Sequence, residues 1–472
     1  MSTVASLDVP RATLWDRAPL WTTIAVAYVA VMAASFANLA DPMVRHDDFP
    51  ALMADPSGFY IKTLHEGRWL NYWWHLRGIV TPAWLNFALY QLCWAVFAGA
   101  AAVNALGRDA PRWYVIGLAL MILVAPPALL ISLWFNTLIP GLALVAVFAV
   151  LACYLKPDHQ MLLLPVFVPL TLMAYTTYPL LLLAICLTTA GARRTPGDLI
   201  GLVVLFVGSF AFGIALIYGL NLLEHGVFGI PMADWRNPSP AHDLTSLIQN
   251  LGLVWSFLAE AASALSFEFT PAAIVHGLLF CGATLVLLRL DPWAAVYIVT
   301  GLLAGLGLLT LQIVTTGVTV PVRALGFAWV LYAILLVRVA VLIHGQHGLA
   351  ARMARNMIVL ITASYLLQTG KQYMAFTNWQ SLTRDMATLS GPGDAPIYVT
   401  GRYAALPEAE AAGIQQPRGL RLRLTHLTGR PVIICDETPV GCDPLPAALR
   451  QPGTPGPHVL REEGFTVIQL PQ

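Results

Sequence analysis

Two adjacent carboxylates, Asp47 and Asp48, follow Arg45 and His46, and the segment Gly67-Arg68-Trp69-Leu70-Asn71-Tyr72-Trp73-Trp74-His75 lies just downstream. Carboxylates so placed can take a proton from an attacking hydroxyl as a general base, or hold a divalent cation. Arg68 can meet a phosphate, which guanidinium binds through two parallel hydrogen bonds. Arg323 follows Thr315-Thr316-Gly317-Val318-Thr319-Val320-Pro321 and offers the same chemistry. Tyr175, Thr176, Thr177 and Tyr178 make a polar turn inside an apolar hairpin, and Lys371 sits near the end of a late apolar run. Plainer readings stay open: a solvated acidic loop, snorkelling cations, and turn hydroxyls that satisfy one another.

The elements that must position these groups are apolar. The 472 residues include 26 Lys+Arg and 25 Asp+Glu, with 58% hydrophobic residues. Mean hydropathy is +0.69. About a quarter of an ordinary soluble domain is charged, against 11% here. A soluble chain has no place for so much apolar surface, so a polytopic membrane protein is expected. A net charge of +1 excludes a nucleic-acid binder driven by global charge.

A bilayer span needs about 20 apolar residues. Runs at 20–40, 86–106, 113–132, 138–155, 161–175, 180–190, 198–221, 272–290, 293–314, 324–343 and 356–375 predict about eleven spans, two of them short. Arg11, Arg17, Arg108, Arg112, Lys156, Arg193, Arg194, Arg289, Arg338, Arg352 and Arg355 then fall on one side, which the positive-inside rule makes cytoplasmic. The N-terminus is expected inside. Loops 41–85 and 222–271 and the tail are expected outside. Asp41-Pro42 follows the first run where a cleavage site would need small residues, so a retained span is expected.

The chain divides into a transmembrane part, 1–390, and a small extracytoplasmic α/β or β-rich domain, 391–472. Short β-like stretches at 396–400, 420–424, 431–435 and 465–470 are separated by Pro and Gly. Cys435 and Cys442, in that outward tail, predict a disulfide. Cys93, Cys153, Cys186 and Cys281 fall within spans as small hydrophobes. His242-Asp243 lacks a second ligand at helical spacing and makes a weak metal site.

No G-x-x-x-x-G-K-[ST], H-E-x-x-H or G-x-S-x-G sequence occurs. Few charges lie deep in the spans, which argues against an ion-coupled transporter. Glu260 and Glu268 lie in a semi-apolar stretch that reads as an interfacial helix.

His46-Asp47-Asp48 after the first span, with Gly67-Arg68-Trp69, resembles the Gtr-type integral-membrane glucosyltransferases of the GT-C class. Tyr175 to Pro179 resembles that family's Tyr-containing hairpin, with Pro179 where the family pattern has Gln, and Pro321-Val322-Arg323 resembles its Pro-x-Arg element. The likeness covers roughly residues 20–375. It implies a GT-C-like helical fold in the bacterial cytoplasmic (inner) membrane. It also implies inverting transfer of a hexose, glucose by the likeness, from a polyprenyl-phosphate donor to a hydroxyl of a surface glycan such as the O-antigen of lipopolysaccharide.

Asp47 or Asp48 would then be the base. His46, Arg68, Trp69, Tyr175, Tyr178, Arg323 and Lys371 would bind substrate or phosphate. No cofactor is expected; if Mg²⁺ or Mn²⁺ acts, Asp47 and Asp48 would hold it. Two other classes stay open: a transporter or flippase for a lipid-linked or amphiphilic substrate, and an envelope assembly partner.

Overall fold

The structure is a computed structural model and describes residues 18–192, 194–344, 348–451, 456–462 and 464–472; Arg11, Arg17 and Arg193 of the topology set lie outside these. The chain begins with α1 (Ala18–Ala34), then two short helices, α2 (Ser57–Glu66) and α3 (Trp69–His75). There follow α4 (Ala83–Leu106), α5 (Arg112–Leu123), α6 (Pro126–Ile131), α7 (Phe135–Ala152), α8 (Pro157–Met161), α9 (Leu164–Leu172) and α10 (Tyr178–Thr188). The second half holds α11 (Pro196–His225), α12 (Leu244–Leu265), α13 (Thr270–Leu290), α14 (Pro292–Thr316), α15 (Gly326–His344) and α16 (Leu349–Ser390). The tail contains β1 (Ile397–Thr400), α17 (Pro407–Ala411), α18 (Pro417–Thr428), β2 (Val432–Ile434), β3 (His458–Glu462) and β4 (Phe465–Gln469).

This is the architecture of a polytopic membrane protein. Among the described residues, 6 helical segments are long and apolar enough to cross a bilayer: Ala83–Leu106, Pro126–Ala152, Pro196–His225, Thr270–Leu290, Pro292–Thr316 and Val322–His344. Eleven spans are therefore not found, and the reasons are local. The run 113–132 breaks before Pro126-Pro127, whose rings start a new helix at its first turn. The two halves of the hairpin form only α9 and α10, of 9 and 11 residues. The run 356–375 is absorbed into α16, a 42-residue helix that continues through Asn378, Gln380, Arg384 and Asp385.

α4 is the centre of the bundle. Its small residues let neighbours approach closely, and a Cβ on Gly99 would lie 2.7 Å from Ile24 of α1. α11 and α13 keep large apolar side chains outward, Val204, Phe212, Leu278 and Leu285 among them, as lipid-facing helices do.

The tail is α/β. Its four-stranded sheet has the order β2-β1-β4-β3, with β1 parallel to both neighbours and β3 antiparallel to β4. Residues 420–424 are helical rather than extended. Leu420, Leu422 and Leu424 alternate with Arg421 and Arg423 like a strand, yet Pro417 opens a helix. Leu420, Arg423 and Leu424 then share its buried face. The tail lies on the same end of the bundle as loop 41–85. Arg423 of α18 and Arg384 of α16 both pair with Asp41, and Arg45 donates to the Gly413 carbonyl. Cys435 and Cys442 are disulfide-bonded. The other four cysteines are free, but Cys281 is exposed rather than buried.

Candidate functional site

A polar cleft opens where loop 41–85, loop 222–243 and the tail meet. Its first chamber, ≈ 380 Å³, is bordered by His46, Asp47, Lys62, Glu66, Trp235 and Arg323, and by Gln415 and Arg418 of the tail. A second chamber, ≈ 410 Å³, is bordered by Arg68, Tyr175, Thr176, Arg236, Glu260 and again Arg323, Trp235 and Gln415. The two chambers share Trp235, Arg323 and Gln415 at their borders. A small apolar crevice of about 20 Å³, bordered by Tyr90, Trp94, Ile131, Leu142, Tyr178 and Phe327, also has Arg323 on its border.

Asp47 faces this cleft with 34% of its side chain exposed. Its Oδ1 is 3.6 Å from Lys62 Nζ and 3.4 Å from His46 Nε2, and Lys62 also donates to the Asp47 carbonyl at 3.1 Å. Burial raises the carboxyl's pKa, but Lys62, His46, Arg68 and Arg418 outweigh it and hold Asp47 below the usual carboxylate range. Asp47 is therefore ionised at neutral pH and able to accept a proton. Burial lowers the Lys62 ammonium, against the attraction of Asp47.

Asp48 does not join it. The side chain is 0% exposed. Its Oδ2 accepts from Asn136 N at 2.8 Å and Asn136 Nδ2 at 2.9 Å, and its Oδ1 accepts from Thr137 N at 2.6 Å and from the Thr137 hydroxyl. These donors include two of the unpaired amides at the start of α7, where a carboxylate also complements the helix dipole. Burial pushes this carboxyl up to about 6 against those donors. With both oxygens occupied and no opening to the cleft, Asp48 fits neither the expected base nor one half of a cation site with Asp47. It is a positioning residue that ties the loop to α7.

The turn carrying Arg68 depends on Gly67. It ends α2 in the left-handed conformation at φ 67, and an added Cβ would meet Ile217 of α11 at 2.9 Å. Arg68 turns back onto Glu66, with Nη2 to Oε2 at 2.6 Å, and lies over the Tyr175 ring at 5.5 Å. The other Glu66 oxygen meets Arg236 at 3.2 Å. The guanidiniums of Arg68 and Arg236 thus share a counter-ion. Trp69 is buried and donates its indole N–H to Asn221 at 2.9 Å, so it is a packing anchor rather than a cleft residue.

Arg323 differs from Arg68. Among the described residues it has no carboxylate partner; its guanidinium stacks on Trp134 at 4.3 Å. Arg45 approaches the same ring at 5.7 Å. Arg45 is 8% exposed, its Nε is unpaired, and desolvation together with Arg323 lowers it to about 10. Two cations around one indole, one buried and the other open to the cleft, make a place for an anion.

The structure thus brings together His46, Asp47, Arg68, Tyr175 and Arg323, and puts Tyr178 in the adjoining crevice. Lys371 is exposed on α16 and borders none of these cavities. Asp243 caps α12 by accepting from Ser246 N, which accounts for it without a metal. Sequence reasoning missed Lys62 and Glu66, although their four-residue spacing on α2 puts both on one face. It placed Arg45 beside the acidic pair without a role of its own, and it missed Trp235, Gln415 and Arg418 as site residues, which only the tertiary fold gathers. No family model, no curated protein and no solved structure matches the chain.

Proposed function

We propose that this protein is a GT-C-like membrane glycosyltransferase. It moves a hexose, glucose by the resemblance, from a polyprenyl-phosphate donor to a hydroxyl of an O-antigen-like surface glycan. The observation that carries this reading is the position of Arg323. Among the described residues Arg323 has no carboxylate partner, and its guanidinium borders both the polar chambers, one of them holding the ionised Asp47, and the apolar crevice. An amphiphile with a phosphate between a lipid and a sugar matches that sequence of environments.

Asp47 takes the proton from the acceptor hydroxyl as its oxygen attacks the anomeric carbon. The bond from that carbon to the phosphate oxygen breaks on the opposite face. The electron pair leaves with the polyprenyl phosphate, and the anomeric centre inverts. Arg323, backed by Arg45, offsets the charge that grows on the leaving phosphate. Arg68 has Glu66 as its own partner and orients the Tyr175 side of the second chamber. In this reading the protein lies in the bacterial cytoplasmic membrane, with its N-terminus in the cytoplasm and the cleft and tail outside.

The test is transfer of labelled glucose from polyprenyl-phosphate glucose to a membrane glycan fraction by protein reconstituted in liposomes. Transfer by wild type that disappears in Asp47→Asn supports the assignment. Full transfer by Asp47→Asn, or none by wild type across polyprenyl-phosphate hexoses, would refute it.

A further inference from the structure

We propose that the mouth of the Asp47 cleft is a subsite for an acidic sugar, with Trp235 as the stacking platform and Arg418 as the partner of the sugar's anionic group. This deepens the transfer reading, on which it rests only in calling the ligand an acceptor.

Trp235 sits on a short turn, Asp234–Arg236, with 67% of its surface exposed. Arg236 lies over the ring at 4.8 Å and, through Glu66, is tied back to α2. The indole is thereby held at the border of both chambers while much of it stays open. An exposed indole at the rim of a polar cleft offers a surface on which the C–H face of a pyranose packs. The amides of Gln415 and Gln416 line the same rim and can meet sugar hydroxyls.

The charge of the first chamber sets the class of sugar. Its carboxylates are Asp47 and Glu66. Glu66 is neutralised by Arg68 and Arg236, and Asp47 by Lys62. That leaves Arg323 and Arg418, neither of which has an ion-pair partner among the described residues. Arg323 borders the second chamber and the apolar crevice as well, where the donor phosphate is placed. Arg418 belongs to the first chamber alone and comes from the tail. Arg418 is exposed and is attracted to Asp47 only from beyond ion-pair distance, whereas a uronate or a sugar phosphate would give it a direct partner through two parallel hydrogen bonds.

The experiment is saturation-transfer NMR on the full chain in nanodiscs, without any donor lipid. Three disaccharide probes of one backbone are compared: neutral, with a glucuronate carboxylate, and with a 6-phosphate. The expected result is about tenfold tighter binding of at least one acidic probe than of the neutral one. That preference should vanish in Arg418→Gln and return in Arg418→Lys. Trp235→Ala should weaken all three probes, and Trp235→Phe should retain them. The carboxylate and phosphate arms show which anion is read. Equal binding of acidic and neutral probes overturns the proposal. So does a preference that survives Arg418→Gln or that depends on Arg323 instead. Because no donor is present, failed transfer beside intact acidic binding would count against the catalytic reading alone. Transfer to a neutral glycan without acidic binding would count against this subsite alone.

Discussion

Asp47 and Asp48 are consecutive residues that face opposite ways. Asp47 opens to the cleft beside Lys62, and Asp48 is enclosed by Asn136 and Thr137 at the start of α7. Substituting them should have different consequences. Asp47→Asn should lower transfer by roughly 10²–10⁴-fold with little change in unfolding temperature. Asp48→Ala strands buried donors and should cost about 1–3 kcal/mol of stability. Thermal unfolding measured beside transfer separates the two. Equal loss of stability in both variants would contradict the division of roles.

Arg323 and Arg68 should also separate. Arg323→Ala removes a guanidinium that has no carboxylate partner among the described residues and should lower kcat by about 10²–10³-fold, in the range of losing one charge-stabilising donor. Arg323→Lys should recover part of it, because a point charge remains without the planar fork. Arg68→Ala leaves Glu66 with Arg236 and should change kcat less. Steady-state kinetics on the reconstituted protein decide the order; a larger defect from Arg68→Ala would place the leaving phosphate at Arg68 rather than at Arg323.

The docking of the tail should weaken in acid. Although burial opposes it, the Arg423 and Arg384 guanidiniums hold Asp41 below the usual carboxylate value of 3.8. A carboxylate with a depressed folded pKa contributes stability above its unfolded value, and that contribution is lost as pH falls through the folded one. Protease susceptibility of the tail should therefore rise as pH drops below about 4. In Asp41→Asn the tail should be loosened already at neutral pH, and its acid response should be flatter. An identical acid response in wild type and Asp41→Asn would show that some other group governs docking.

The disulfide between Cys435 and Cys442 closes a short loop after β2. In the chain-entropy account a loop of that size contributes about 2 kcal/mol. Replacing both cysteines by Ser should lower the stability of the tail by that order and leave Asp47 chemistry intact. Hydrogen exchange over β1 and β2, compared with the rate of transfer, tests this. Unchanged exchange in the strands would mean that packing of Leu445 and Leu449 holds this edge without the bond.

The sequence made the polar cluster visible because charges are scarce. Asp47, Arg68 and Arg323 stand out against an apolar background, and all three border the cleft. What it concealed has physical causes. Asp48 carries the same charge as its neighbour, and only the approach of Asn136 and Thr137 makes it structural. Arg418 lies hundreds of residues from Asp47 in a helix whose leucine alternation mimics a strand. Hydropathy overcounts the spans because it does not register Pro126-Pro127 as a break and credits the hairpin with two spans, although α9 and α10 have only 9 and 11 residues.

The long helix α16 has a mechanical consequence. Its 42 residues extend about 63 Å at 1.5 Å per residue, without interruption. One end of this strut packs against the bundle through Ile358, Ile361 and Tyr365, while near the other end Thr383 meets Arg423 and Arg430 donates to the Ser390 carbonyl. A rod of that length transmits rotation as well as displacement. The Gln415–Arg418 rim is therefore held by a strut rooted in the bundle as well as by Asp41 in loop 41–85, so the mouth of the cleft is fixed from two directions.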